Sequence, residues 1–149
     1  MSGTSGSYNP ASHDHDSIVL ADDFDLMPTA INVWTGVGIN VTLPRAGKYR
    51  VEAEVRAAVV GGGFVTARFF NATASQAVPQ ALRLVNQLNG AQPNQGVNNT
   101  APITAFVTVS GPTVIRVEAM RGDATGAQTA ASITSGAAGQ TWMGWEQIG

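Results

Sequence analysis

The chain has 149 residues and a mass of 15.4 kDa, the size of one domain, and folding at that length buries about two thirds of the unfolded surface without staples. It contains no cysteine, which excludes disulfide frameworks, thiolate zinc sites and cysteine nucleophiles together. Charged residues make up 12%, against about a quarter in a typical soluble domain. Such a surface is either tiled with Thr, Asn, Gln and Ser or partly hidden in an assembly.

No apolar run approaches the ~20 residues that span a bilayer, and Met1–Ser7 has neither the basic start nor the apolar stretch of a secretory signal. No membrane partner is expected. The charge is also uneven. Residues 1–25 hold five acids and no Lys or Arg, a net of −5, and the remainder carries +3. That is far too little to neutralise phosphates, so nucleic acid is not an expected partner either.

In chain order, residues 1–17 read as a flexible, Ser- and Gly-rich arm. From residue 18 the apolar pattern has period two. Its clearest stretch is Lys48–Ala57, where Tyr49, Val51, Ala53, Val55 and Ala57 alternate with Arg50, Glu52, Glu54 and Arg56. This predicts a half-buried antiparallel strand with charge partners on its wet side. Further strands are predicted near 18–21, 31–35, 37–43, 64–70, 81–85, 103–110, 113–120, 130–134 and 140–148. Pro44–Gly47 reads as a turn, Gly61–Gly63 as a break or bulge, and Ser110–Pro112 as a hairpin turn. Asn86–Pro102, rich in Asn, Gln and Gly with two prolines, reads as a long surface loop. Pro79 argues against a long helix over Ser75–Leu84. The predicted architecture is all-β: about 8–10 antiparallel strands in a sandwich, jelly roll or barrel, the jelly-roll sandwich being what the resemblance below implies, with an extended acidic arm over 1–25 and the domain over 26–149.

Three segments resemble the jelly roll of the complement globular-head and tumour-necrosis-factor superfamily. They are Gly38-Ile-Asn-Val-Thr-Leu-Pro-Arg-Ala-Gly-Lys-Tyr-Arg-Val51, Thr113-Val-Ile-Arg-Val-Glu-Ala119, and the terminal Thr141-Trp-Met-Gly-Trp-Glu-Gln-Ile-Gly149. More closely, the chain resembles small virion proteins of tailed bacteriophages that use this fold: capsid decoration proteins, head fibres and tail-associated proteins. The resemblance implies a homotrimer. Phe69 and Phe70 are adjacent, as are Trp142 and Met143, so one of each pair must leave the core of its own subunit. Phe70, Phe106, Trp142 and Trp145 are the candidate trimer interface.

The function this implies is a structural virion protein that stabilises the outer surface of a capsid. Its partners would be itself and the major capsid protein or another shell subunit. The arm would dock through Tyr8, Asp14, Asp16, Ile18, Leu20, Asp22, Asp23, Phe24 and Asp25, with many weak contacts adding to a durable clamp. The alternative is a receptor-binding module at a tail or fibre tip, recognising a cell-surface glycan through Asn94, Gln95, Asn98 and Asn99.

Two smaller motifs remain. His13 and His15 share a face of an extended arm, and three chains could offer six imidazole nitrogens to a transition metal; a solvated polar arm is the other reading. Arg121-Gly-Asp123 spells an adhesion tripeptide, but Gly and Asp are ordinary turn residues. No cofactor and no enzymatic activity are expected. The only two histidines lie in the arm, no nucleophile elbow or phosphate loop occurs, and Glu52 and Glu54 sit among arginines on an alternating strand.

Overall fold

The computed structural model describes residues 14–149. Eight strands follow in order: β1 His15–Val19, β2 Phe24–Asp25, β3 Thr35–Leu43, β4 Gly47–Asn71, β5 Gln76–Val109, β6 Thr113–Gly122, β7 Ala130–Ile133 and β8 Trp142–Gln147. All pairings are antiparallel. The architecture is all-β, as the alternation predicts, and is the jelly roll that the resemblance implies.

β4 organises both layers. Its first half lies between β5 and β8, pairing Tyr49 with Gln147 and Val51 with Trp145, and β7 takes over beside Ala57–Val60. Its second half lies between β5 and β6, with Phe69 opposite Val117. The layers are therefore β1-β8-β4-β5 and β3-β6-β4-β5, and β2 flanks β7.

The change of layer falls at Gly61–Gly63, where φ is +91°, +149° and +88°. A Cβ on Gly61 would sit 2.2 Å from the Ala127 carbonyl oxygen, and one on Gly63 would sit 2.1 Å from that of Gly122. Glycine is required there by both the backbone conformation and the close approach of two other chain segments.

The core lies between the layers. Tyr49, Val51, Ala53, Val55, Ala57 and Val59 from the first half of β4 meet Val65, Ala67 and Phe69 from the second, with Ile39, Leu43, Ile103, Ile115, Ile133 and Met143. Tyr49 closes the Pro44–Gly47 turn. Its hydroxyl donates to the Arg45 carbonyl at 2.8 Å and accepts from the Arg45 N–H at 3.3 Å.

Three sequence expectations need correction. Asn86–Pro102 is not a loop but part of β5. β5 pairs only with β4 among the described residues and is the edge strand of both layers, which is where Pro79, Pro93 and Pro102 can dispense with an N–H. The extra residues of β5, 34 against 25 in β4, are absorbed by register shifts opposite Val60–Gly63, Val65–Thr66 and Arg68–Phe70. Secondly, residues 31–34 are a turn followed by irregular backbone rather than a strand, and β3 starts at Thr35.

Thirdly, the segment expected to extend as an arm is part of the sheet from His15 onward. β1 pairs His15–Val19 with β8, and β2 pairs Phe24 with Ile133. Leu20 is buried, its N–H donating to the Thr141 carbonyl at 2.8 Å and its carbonyl accepting from the Ser135 hydroxyl at 2.6 Å.

Candidate assembly surface

The acidic residues assigned to docking serve the fold's own backbone or side chains in four of five cases. Asp14 pairs with Arg45. Asp16 accepts from the Ser17 N–H at 2.8 Å, Asp23 from the Ser135 N–H at 2.7 Å, and Asp25 from the Met27 N–H at 2.9 Å. Asp22 is exposed. Ile18 is exposed on β1, while Phe24 packs half-buried against the core. Tyr8 and His13 lie outside the described residues. His15 stands on the outer side of β1 opposite Glu146, and no group of three or more metal-ligating side chains forms among the described residues.

The four candidate interface aromatics do not form one surface. Trp145 turns inward, its ring 5.5 Å from that of Tyr49 in an edge-on contact. Phe70 leaves the core, as its neighbour Phe69 requires, but it lies on the outer face of the second layer beneath the guanidinium groups of Arg68 and Arg116, at 5.3 and 4.9 Å. Subunit-internal cation–π contact thus covers it. Phe106 and Trp142 share the outer face of the first layer, two strands apart. Phe106 is 63% exposed, the most open of the large apolar residues.

Phe106 belongs to a longer feature that the sequence reading missed. Leu82 and Leu84, 53% and 52% exposed, project from the outer face of the second layer on the same edge strand. Their signal was present, since Ala81 and Val85 are buried beside them and a strand apolar on both faces is one covered on both faces. The chain also carries no charge from Leu84 to Ile115. Natural edge strands are normally blunted by Lys or other charges. β5 has its prolines but, past Arg83, no charge. Shallow hollows of about 370 and 210 Å³ flank Phe106, with Pro79 lining both.

The amide-rich part of β5 is less available than its composition suggests. Asn98 accepts from Arg56 Nε at 3.0 Å. Asn99 donates to the buried Asn86 side chain at 3.3 Å, and Asn86 itself donates to the Ala57 and Val97 carbonyls. In the adhesion-like tripeptide, Arg121 donates to the carbonyls of Leu26 and Thr29 at 3.1 and 2.8 Å and to Gln128 Oε1 at 3.0 Å. Asp123 accepts from the Gln128 N–H at 3.2 Å. Arg121 is committed to the segment after β2 and to Gln128, and Asp123 to the loop that joins β6 to β7.

Superposition on solved structures returns viral proteins. A point mutant of the VP2 protein of infectious bursal disease virus, from derived T=1 particles, aligns with 100% of this chain and 34% of its own, at a TM-score of 0.59 and 17% identity. The structure of the Gx strain of that virus aligns with 95% of this chain and 33% of its own, at 0.58 and 15%. The Gt strain gives 92%, 33%, 0.57 and 16%. The likeness is one of fold. This chain spans about a third of the length of those proteins. No protein-family model and no curated protein matches the sequence.

Proposed function

We propose that the protein is a structural virion subunit, a homotrimer that decorates the capsid of a tailed bacteriophage. The observation that carries this reading is the β5 edge, a long row of open backbone groups whose single charge is Arg83, with Phe106, Leu82 and Leu84 exposed along it. An edge of that kind left bare pairs with other copies indiscriminately, so a lasting protein must cover it with a defined one. The occupant is a second copy of this chain, consistent with the 12% charge content of the whole sequence. Phe106 is the anchor of the contact, in the manner of an aromatic seated between two hollows.

The fold supports the setting, because the jelly-roll likenesses above include VP2 in viral particles. Docking on the shell uses residues 1–13 together with the five side chains of β1, all of which are exposed. Each trimer then presents three such segments, and multivalency strengthens weak contacts. Sedimentation with undecorated particles tests this. Full-length protein is expected to travel with them, and a form lacking residues 1–13 to stay in solution. Equal co-sedimentation of both forms would contradict docking through this segment.

A further inference from the structure

The outer face of the first layer holds a feature that the β5 edge does not use. In register across β1, β8 and β4 lie His15, Glu146 and Arg50, then Ser17, Gly144 and Glu52, then Val19, Trp142 and Glu54. Gly144 leaves the centre of this grid without a side chain, and the indole of Trp142 occupies the space. A Cβ on Gly144 would be 3.2 Å from Cζ3 of that ring and 3.1 Å from Ser17 Cβ. The six-membered ring therefore reaches toward the glycine position, at the side of a dent of about 210 Å³. Arg50 is fixed at the rim by Glu146 Oε1 at 3.0 Å and faces Glu52 Oε1 at 3.4 Å.

We propose that this dent binds one uncharged sugar ring of a larger glycan. An indole lying along a surface offers its π face to the C–H face of a pyranose, and carboxylate and guanidinium groups beside it accept and donate to neighbouring hydroxyls. Trp142 supplies the stacking surface, Glu52 the acceptor and Arg50 the donor. The volume suits a single ring, being below the range of sites that enclose drug-sized ligands. The charge sets the class of sugar. Asp16, Glu52 and Glu146 line the dent against Arg50 and the single histidine His15, so an anionic sugar meets net repulsion near neutral pH.

The test titrates the full-length protein with the methyl glycosides of glucose, galactose, mannose and N-acetylglucosamine, with sialic acid as the anionic control. Saturation-transfer NMR and intrinsic tryptophan fluorescence are the readouts. At least one neutral glycoside is expected to bind in the millimolar range, and sialic acid not to. Trp142→Ala is expected to weaken binding at least about tenfold. Glu52→Gln, which keeps the volume and the strand, is expected to weaken it severalfold with an unchanged urea midpoint. Absence of binding by every neutral glycoside would overturn the site, as would equal binding by both variants or tighter binding of sialic acid. A trimer that binds no glycoside overturns the sugar site and leaves the assembly intact; a monomer that binds one does the reverse.

Discussion

The guanidinium of Arg68 holds the carboxylate of Glu118 from two nitrogens, Nε at 3.0 Å and Nη2 at 2.8 Å, both on Oε1. Arg116 takes the other oxygen from Nε at 2.9 Å and Nη2 at 2.5 Å. The Glu118 side chain is 4% exposed, and Arg68 stacks under Trp34 at 4.2 Å. One buried acid thus ties β4 to β6 and, through Trp34, to the start of β3.

Glu118→Ala leaves two guanidinium groups facing each other across the sheet without their common partner. Breaking a buried pair in this way costs about 3–5 kcal/mol, and the lower end applies because Arg116 keeps access to water. Urea denaturation is the measurement. A loss below about 1 kcal/mol would mean that the pairing adds little to the fold.

At the corner of β4, Gly61→Ala would place a methyl 2.2 Å from a backbone oxygen at φ +91°, neither of which a side-chain rotation can relieve. The expected loss is on the order of 3 kcal/mol, read as a fall in Tm of about 6–12 °C. Gly126→Ala, with open space around it, is the control for positive φ alone.

Burial pushes the Tyr49 phenol above its ordinary value of 10.0, against the opposing pull of its bond to the Arg45 backbone. The folded state then holds the phenolic proton more tightly than the unfolded chain does. The resulting stability is constant below about pH 10 and declines as the pH rises beyond it. Tyr49→Phe is expected to cost about 1 kcal/mol at neutral pH, from the lost bonds to Arg45, and to flatten the alkaline decline. Denaturation midpoints between pH 7 and pH 11 for both proteins check the sign.

Truncations separate the docking segment from the fold. Removing residues 1–13 keeps all eight strands, and the docking proposal expects an unchanged Tm. Removing 1–25 strips β1 from β8, exposes the site of Leu20 and deletes the Asp23 acceptor of Ser135. Burial of Leu20 alone is worth about 1.5–3 kcal/mol, so Tm should fall by roughly 5 °C or more. Thermal melts of the two forms distinguish a boundary at 13 from one at 25.

Much of the fold was legible where one face of a strand is buried. Tyr49 to Ala57 alternate as their burial demands, and the opposition of Phe69 and Phe70 follows from strand geometry alone. β1 was harder to read, because His15–Val19 are all exposed and the strand is held through its backbone, which leaves no apolar period to detect. Residues 86–102 read as a loop in sequence because proline and glycine punctuate both loops and edge strands, and edge position is set by the distant partners of β4. At the candidate surface, Phe106 stood out as a large apolar residue. Leu82 and Leu84 did not, because their exposure depends on which strand closes the layer. Phe70 and Trp145 were satisfied by groups far away in sequence, Arg116 and Tyr49, that local pattern does not bring together.

Phe106→Glu puts a charge into the uncharged stretch of β5 past Arg83 while removing a side chain that its own subunit scarcely covers. It should dissociate the assembly without changing the unfolding free energy of the folded monomer by more than about 0.5 kcal/mol.

The most direct measurement is the mass of the full-length protein by sedimentation equilibrium at micromolar concentration, beside that of the Phe106→Glu variant. A species of three times 15.4 kDa that becomes a single 15.4 kDa subunit in the variant is the expected result. A full-length protein that stays at 15.4 kDa throughout would contradict self-assembly through the β5 edge.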